Sequence, residues 1–192
     1  MNTNASSQSL ELAYLKKSLE FYQTQGLDEE KETDSFLDFL KGGPTQFFRE
    51  QLEGHFTGSA WVVSQNHQKV LLTHHRKLGL WLHLGGHADG EIDLRKVALR
   101  EAEEESGLTN LCLISDIFDL DHHRIPERAH EPEHWHYDIR YVVQATGDET
   151  FQVSDESLAL AWFDIKSLIN NPDPYIALGV RRMARKWLQK NL

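Results

Sequence analysis

This chain is short of the features that would place it in several large protein classes. It has one cysteine in 192 residues, Cys112, so no disulfide can close within it, and a reducing compartment is the expectation. Cys112 itself reads as filling on a buried strand. No apolar run approaches the roughly eighteen residues that a membrane-spanning helix needs, and the opening MNTNASSQSL has no basic segment followed by an apolar one. Basic residues are scarce beside acidic ones, 20 Lys and Arg against 30 Asp and Glu, for a net charge of -10. Such a surface repels nucleic acid and anionic membranes, so neither is expected as a partner, and a phosphate-bearing ligand must be met by local cations. There is no internal repeat, low-complexity segment or linker. A cytoplasmic protein with one well-cored domain is expected.

What is present changes character along the chain. Residues 1–9 are polar and read as frayed. Leu12, Leu15, Leu19 and Tyr22 then recur at helical spacing, and Phe36, Leu37, Phe39 and Leu40 mark a second helix from about Ser35. Gly42, Gly43 and Pro44 break the pattern, and 45–52 can add a short third. These segments form a helical extension, residues 1–52, whose simplest role is packing, with a lid or a homodimer contact as the other options. Strands follow at 59–64 and 69–74, separated by a hairpin turn, and at 80–84. A basic loop, His74 to Lys77, precedes the last of these; Arg76 is a candidate phosphate contact, with solvated charge as the plain reading.

Residues 94–108 form a stretch rich in Ala, Leu, Glu, Lys and Arg with no Pro or Gly before Gly107, which is helical. Asp93 can cap its start and Gly107 its end. Glu101, Glu104 and Glu105 fall within one turn, and Leu94, Val97 and Ala98 project within about 60° of them at 100° per residue. The acidic stripe continues an apolar one, which carries the carboxylates toward the fold and turns Lys96 and Glu103 to water. Like charges held that close call for a cation, and oxygen-only ligands select Mg2+ or Mn2+ over Zn2+. Mg2+ fills its remaining positions with water and phosphate oxygens, so phosphate chemistry is expected.

These residues resemble the signature of the Nudix hydrolases. Gly86, thirteen further residues, then Arg100, Glu101, Ala102, Glu104, Glu105, Gly107 and Leu108 match it at eight positions over 23 residues. The pattern departs at position 92, where the family's upstream Glu is replaced by Ile92, with Glu91 and Asp93 on either side. The resemblance covers residues 56 to 190 and implies an α/β (α+β) fold, a helix, mixed-sheet, helix sandwich occupying residues 53–192. It implies Glu101, Glu104 and Glu105 as ligands of Mg2+ or Mn2+, the Gly85 carbonyl completing the shell, and Arg100 holding a glutamate in place. The activity implied is hydrolysis of a diphosphate bond in a small nucleotide substrate. A nucleotide sensor or interaction module that keeps the fold but not the chemistry is the alternative, with Ile92 in its favour.

After the helix, 111–120 reads as a strand and 121–133 as a long polar loop. The next segment, HWHYDIRYVV, alternates strictly: His134, His136, Asp138 and Arg140 share one side of a strand. A histidine pair two apart can bind Zn2+, but no third ligand at zinc spacing accompanies it. A polar face beside the carboxylates is the functional reading, with His136 and Asp138 toward substrate and Arg140 holding a phosphate or orienting Asp138. Trp81, Phe118, Trp135 and Tyr137 read as core rather than as base-stacking groups. Short strands are expected at 150–153 and 158–163, a short helix at 165–170, and a final helix over 174–189 that packs Ile176, Val180, Met183 and Trp187 while exposing Arg181, Arg182, Arg185 and Lys186.

Overall fold

Ten consecutive buried residues, Gly54–Val63, form the strand β1 on which the sheet is built. Below its first residues the segment carries no charged side chain, and its β-branched and aromatic content suits a strand covered on both faces. The computed structural model describes residues 3–24, 30–127 and 132–190. The other strands are β2 (Lys69–His75), β3 (Trp81–Leu82), β4 (Leu84–His87), β5 (Leu111–Ile125), β6 (His134–Ala145) and β7 (Ser157–Asp164). They form one mixed sheet of order β3-β2-β1-β6-β5, with β4 paired to β1 and β7 to β2. β1 runs parallel to β6 along its whole length and antiparallel to β4. The expected hairpin between β1 and β2 is present, with His67 at φ 60° in its turn.

Alternation along β1 divides the molecule. Phe56, Ala60 and Val62 enter a core with α1 (Thr3–Gln23), α2 (Glu30–Leu40) and α3 (Leu94–Ser106). Trp61 and Val63 enter a second core with α4 (Ile165–Leu168) and α5 (Leu178–Lys190). This is the expected sandwich. The N-terminal helices contribute Leu15, Leu19, Phe36 and Phe47 to the first core, beside Val97 of α3 and Ile139 of β6. Phe39 stacks on Tyr137 at 3.8 Å. Packing, the simplest role expected for this segment, is what it does.

Several local expectations differ from what is observed. The first helix begins at Thr3, with residues 1–2 outside the described set, and the second begins at Glu30. Residues 45–52 supply only the end of a 3-10 turn at Gly43–Phe47. The third strand is split at His83 into β3 and β4. The polar segment 121–125 is not loop. It continues β5, because Asp121, His122 and His123 find polar or aromatic partners opposite Asp138, Tyr137 and His136. Residues 128–131 of the remaining connection lie outside the described residues. Cys112 is exposed, since the first residues of β5 alternate and Leu111 and Leu113 take the inward positions. Residues 150–153 do not pair as a strand; the Gln152 N–H instead donates to the Ser106 carbonyl at the end of α3, 2.7 Å away. The last helix starts at Leu178, and Ile176 before it bridges to Trp81.

Candidate active site

α3 starts and stops where capping chemistry places it. The Asp93 carboxylate accepts from the Arg95 N–H, and Gly107, at φ 69°, sends its N–H back to the Glu103 carbonyl. Gly58 lets the helix lie close on β1: a Cβ there would come within 2.9 Å of the Leu94 carbonyl and Val97. Four-residue steps then align Val97, Glu101 and Glu105 along the side facing the sheet. Glu105 is 7% exposed, and its Oε1 accepts from the Gly85 N–H at 2.8 Å. Glu101 is partly buried against β4, and its Oε1 accepts from Arg100 at 2.8 Å. The same guanidinium donates to the His87 carbonyl, so Arg100 ties Glu101 to β4. Glu104 is turned about 100° from Glu105 and is exposed.

A fourth carboxylate joins them from afar. Glu156 lies just before β7, and its negative charge acts on both Glu101 and Glu105. The segment is held by Arg76, whose N–H donates to the Glu156 carbonyl and whose guanidinium reaches the carbonyls of Asp155 and Ser157. Burial, reinforced by the charges of Glu101 and Glu156 and opposed by the Gly85 N–H, pushes Glu105 up to about 8. Burial also raises Glu101, with Glu104 and Glu156 adding and Arg100 opposing. The site is therefore a set of carboxyl oxygens short of positive charge. That donor set fits a hard divalent cation.

Gly86 is part of this geometry. A Cβ there would sit 2.6 Å from the Glu101 carboxyl carbon, the free end of a flexible side chain. Gly86→Ala is expected to leave the melting temperature within a few degrees of the parent, because Glu101 can swing away. Turnover should fall about tenfold or more as the carboxylate is displaced, since a misplacement of about 1 Å can cost that much. Side-by-side melting curves and initial rates check both parts.

The upstream carboxylates stand apart from this group. Ile92 is 2% exposed and packs in the core with Leu94. Glu91 accepts from the Asp93 N–H and pairs with Lys96, and Asp93 pairs with Arg95 as it caps the helix. The apolar residue at position 92 thus secures the start of α3.

The polar face of β6 is more densely paired than its alternation suggests. Asp138 accepts from Thr57 and Ser59 at Oδ1, and from Arg140 and His83 at Oδ2. With both oxygens filled it has no lone pair to take a proton from water. Although its burial works against ionisation, Arg140 and His83 hold it well below the usual carboxylate range. Arg140, 2% exposed, donates to Asp138, Asp119 and Asp121 at 2.7 to 2.9 Å. Of its two expected roles, orienting Asp138 is the one these contacts match. The final helix does not present a purely solvated basic face: Arg182 pairs with Asp119 and Asp121, and Lys186 is buried against Asp119 and the Tyr22 hydroxyl.

His136 lies elsewhere on this face. Among the described residues, the one trio of His, Cys, Asp or Glu whose ligand atoms all lie within 4.8 Å of one another is His55, His87 and His136, not the three glutamates of α3. Trp135 is 39% exposed and meets the His122 ring at a tilt, 4.2 Å between centroids, at variance with its reading as core, while Phe118 is buried as expected. Cavities of about 310 Å3 between α1 and the start of α3, and about 270 Å3 between β5 and the end of α5, touch neither the α3 glutamates nor the histidine trio.

Comparison with known proteins adds a family and a fold. The NUDIX domain model matches residues 55–185. No curated protein matches the chain. An Ap4A hydrolase from C. elegans is 18% identical, the match covering 71% of this chain and 96% of that one, with a TM-score of 0.53. A NUDIX-family hydrolase from Clostridium perfringens is 24% identical over 72% of this chain and 98% of its own, with a TM-score of 0.50. The E. coli dihydroneopterin triphosphate pyrophosphohydrolase is 14% identical over 70% and 95%, also at 0.50. At such identities the likeness to these structures is one of fold.

Proposed function

The chain belongs to the Nudix family of pyrophosphohydrolases, and from that premise we propose that it hydrolyses the diphosphate bond of a nucleoside diphosphate linked to another group, using Mg2+ or Mn2+ held by Glu101, Glu104 and Glu105. The observation that carries this reading is the state of Glu105: buried, pushed up to about 8, and faced by the like charges of Glu101 and Glu156. A carboxyl in that position is an unfavourable arrangement that a divalent cation relieves. When bound, such an ion neutralises phosphate oxygens and supplies a hydroxide at neutral pH.

The protein's own groups prepare the position. Arg100 holds Glu101 against β4, the Gly85 N–H holds Glu105, and Arg76 fixes the segment that brings Glu156 alongside. Its part in this reading is positioning rather than phosphate contact. Arg140 and Asp138 lock β1, β5 and β6 together. Orientation and charge stabilisation carry most of the rate in phosphoryl transfer, and a rigid frame supplies the first of these.

The test is a screen of ADP-ribose, dinucleoside polyphosphates, nucleotide sugars and nucleoside triphosphates with Mg2+ or Mn2+, following release of nucleoside monophosphate or phosphate. Turnover of at least one linked diphosphate, abolished by a chelator and restored by the ion, is expected. Binding without turnover across the panel would instead support a nucleotide sensor.

A further inference from the structure

The trio of His55, His87 and His136 is made by three adjacent strands and not by local sequence. In the parallel pairing of β1 with β6, His55 stands opposite His136. In the antiparallel pairing of β1 with β4, His87 stands opposite Thr57, one step along the same face from His55. The ring centroids are 5.0 Å apart for His55 and His87, 4.8 Å for His55 and His136, and 5.2 Å for His87 and His136. This face is the one opposite α3. Gly86, between His87 and the helix, lies against Glu101, so β4 separates the imidazoles from the carboxylates.

We propose that His55, His87 and His136 form a binding site for a transition-metal ion of the zinc class, distinct from the carboxylates of α3. Nitrogen-only donors select Zn2+ and its neighbours, whereas Mg2+ takes oxygen. Three histidines leave the fourth tetrahedral position open to water or another ligand. Ligand nitrogens in a tetrahedral zinc site lie roughly 3.4 Å apart, so the rings close inward by about 1 Å on an ion.

Two further observations point the same way. His55 is 1% exposed, and beyond a backbone contact with Gln51 no hydrogen bond reaches its ring, so at least one of its two nitrogens has no protein partner. Next, His134 contacts the Pro132 carbonyl through Nδ1 at 2.8 Å and His136 Nε2 through its own Nε2 at 3.1 Å. A carbonyl only accepts, so His134 carries a proton on Nδ1, and its Nε2 is placed to accept. His136 then donates from Nε2, which leaves its Nδ1 with the lone pair a metal requires. Outer partners of this kind commonly fix the tautomer of metal-binding histidines.

The full chain, stripped with a chelator and titrated with Zn2+ and with Co2+, tests this. One equivalent of Zn2+ should bind in excess Mg2+ and raise the melting temperature. Co2+ should give the strong visible absorption of a four-coordinate, nitrogen-bound ion. His87→Ala and His136→Ala, with folding checked by circular dichroism, should each weaken Zn2+ binding by more than about 100-fold, the upper end for losing even an indirect partner. Glu105→Gln should bind as the parent does. Binding that survives both histidine variants, or that is lost in Glu105→Gln, overturns the site. If the histidine variants do not fold, the parent's Co2+ spectrum decides, and a weak six-coordinate oxygen-type spectrum or the lack of a single-equivalent endpoint overturns it equally.

Discussion

Glu105→Gln is expected to lower turnover by a factor of about 10^2 to 10^3 while leaving the metal-free protein at least as stable as its parent. The substitution keeps the shape and an oxygen that can accept from the Gly85 N–H, which is 2.8 Å from the present carboxyl. What it removes is the negative charge. In the folded chain Glu105 is raised from 4.5 to about 8 by burial and by the charges of Glu101 and Glu156. A raised value means that the fold favours the protonated form, so the stability linked to this group is full below pH about 4.5 and is lost as pH climbs to about 8. The neutral amide suffers no such loss. The melting temperature of the variant relative to the parent should therefore be near zero at pH 5 and grow more positive toward pH 9. The buried histidines remain in both proteins, so their titrations cancel in the difference. Adding Mg2+ or Mn2+ should narrow the gap at alkaline pH, because the cation stabilises the carboxylate form only. Calorimetric melting from pH 5 to 9, with chelator and with metal, reads the sign, and steady-state rates read the turnover. Near-normal hydrolysis, or a gap that stays flat with pH, would remove Glu105 from the ligand role.

The parts of this site that were legible in the sequence are those that one helix or one strand encodes locally. The period of Val97, Glu101 and Glu105, the Asp93 cap, the Gly107 stop and the alternation of His134, His136, Asp138 and Arg140 each depend on residues within a turn or two of one another. Glu156, held near Glu105 by Arg76 across 79 and 81 residues of chain, carries no local mark. The histidine trio is similar. His134 and His136 lacked a third ligand at zinc spacing because the partners come from β1 and β4, through strand register. A sign existed in retrospect: His55, Thr57 and Ser59 alternate on β1 as His136, Asp138 and Arg140 do on β6, and two strands with polar residues on one buried face have reason to be neighbours. The 121–125 segment reads as loop in the sequence for the related reason that charged residues in a strand look like loop until their partners are known. The partners here are Arg140 and Arg182, which fall on elements far along the chain.

Asp119→Ala is expected to destabilise the fold by about 3 to 5 kcal/mol, the usual cost of removing one member of a buried charge network. Asp119 is fully buried and accepts from Arg140 at 2.9 Å, Arg182 at 2.7 Å and Lys186 at 2.5 Å. Arg140 and Lys186 have side chains only 3% and 7% exposed, so neither can turn to water when the carboxylate is gone. Asp121 and Asp138 still face Arg140, which limits the loss on that side. Lys186 loses the Asp119 carboxylate at 2.5 Å and keeps its hydrogen bond to the Tyr22 hydroxyl. Burial alone would raise Asp119, but the three cations prevail and hold it below its ordinary value. With the folded value depressed, the stability it supplies is present above pH about 4 and is lost as pH falls further. The difference in urea midpoint between parent and variant should accordingly be large at pH 7 and shrink below pH 4. Adding Lys186→Met to the variant should recover part of the loss, because it removes a buried ammonium that has lost the Asp119 carboxylate and fills the space with a side chain of similar length. A cost below about 1 kcal/mol at neutral pH would mean that water screens the network as it does a surface ion pair, and the rigid frame of β1, β5 and β6 would then need another source.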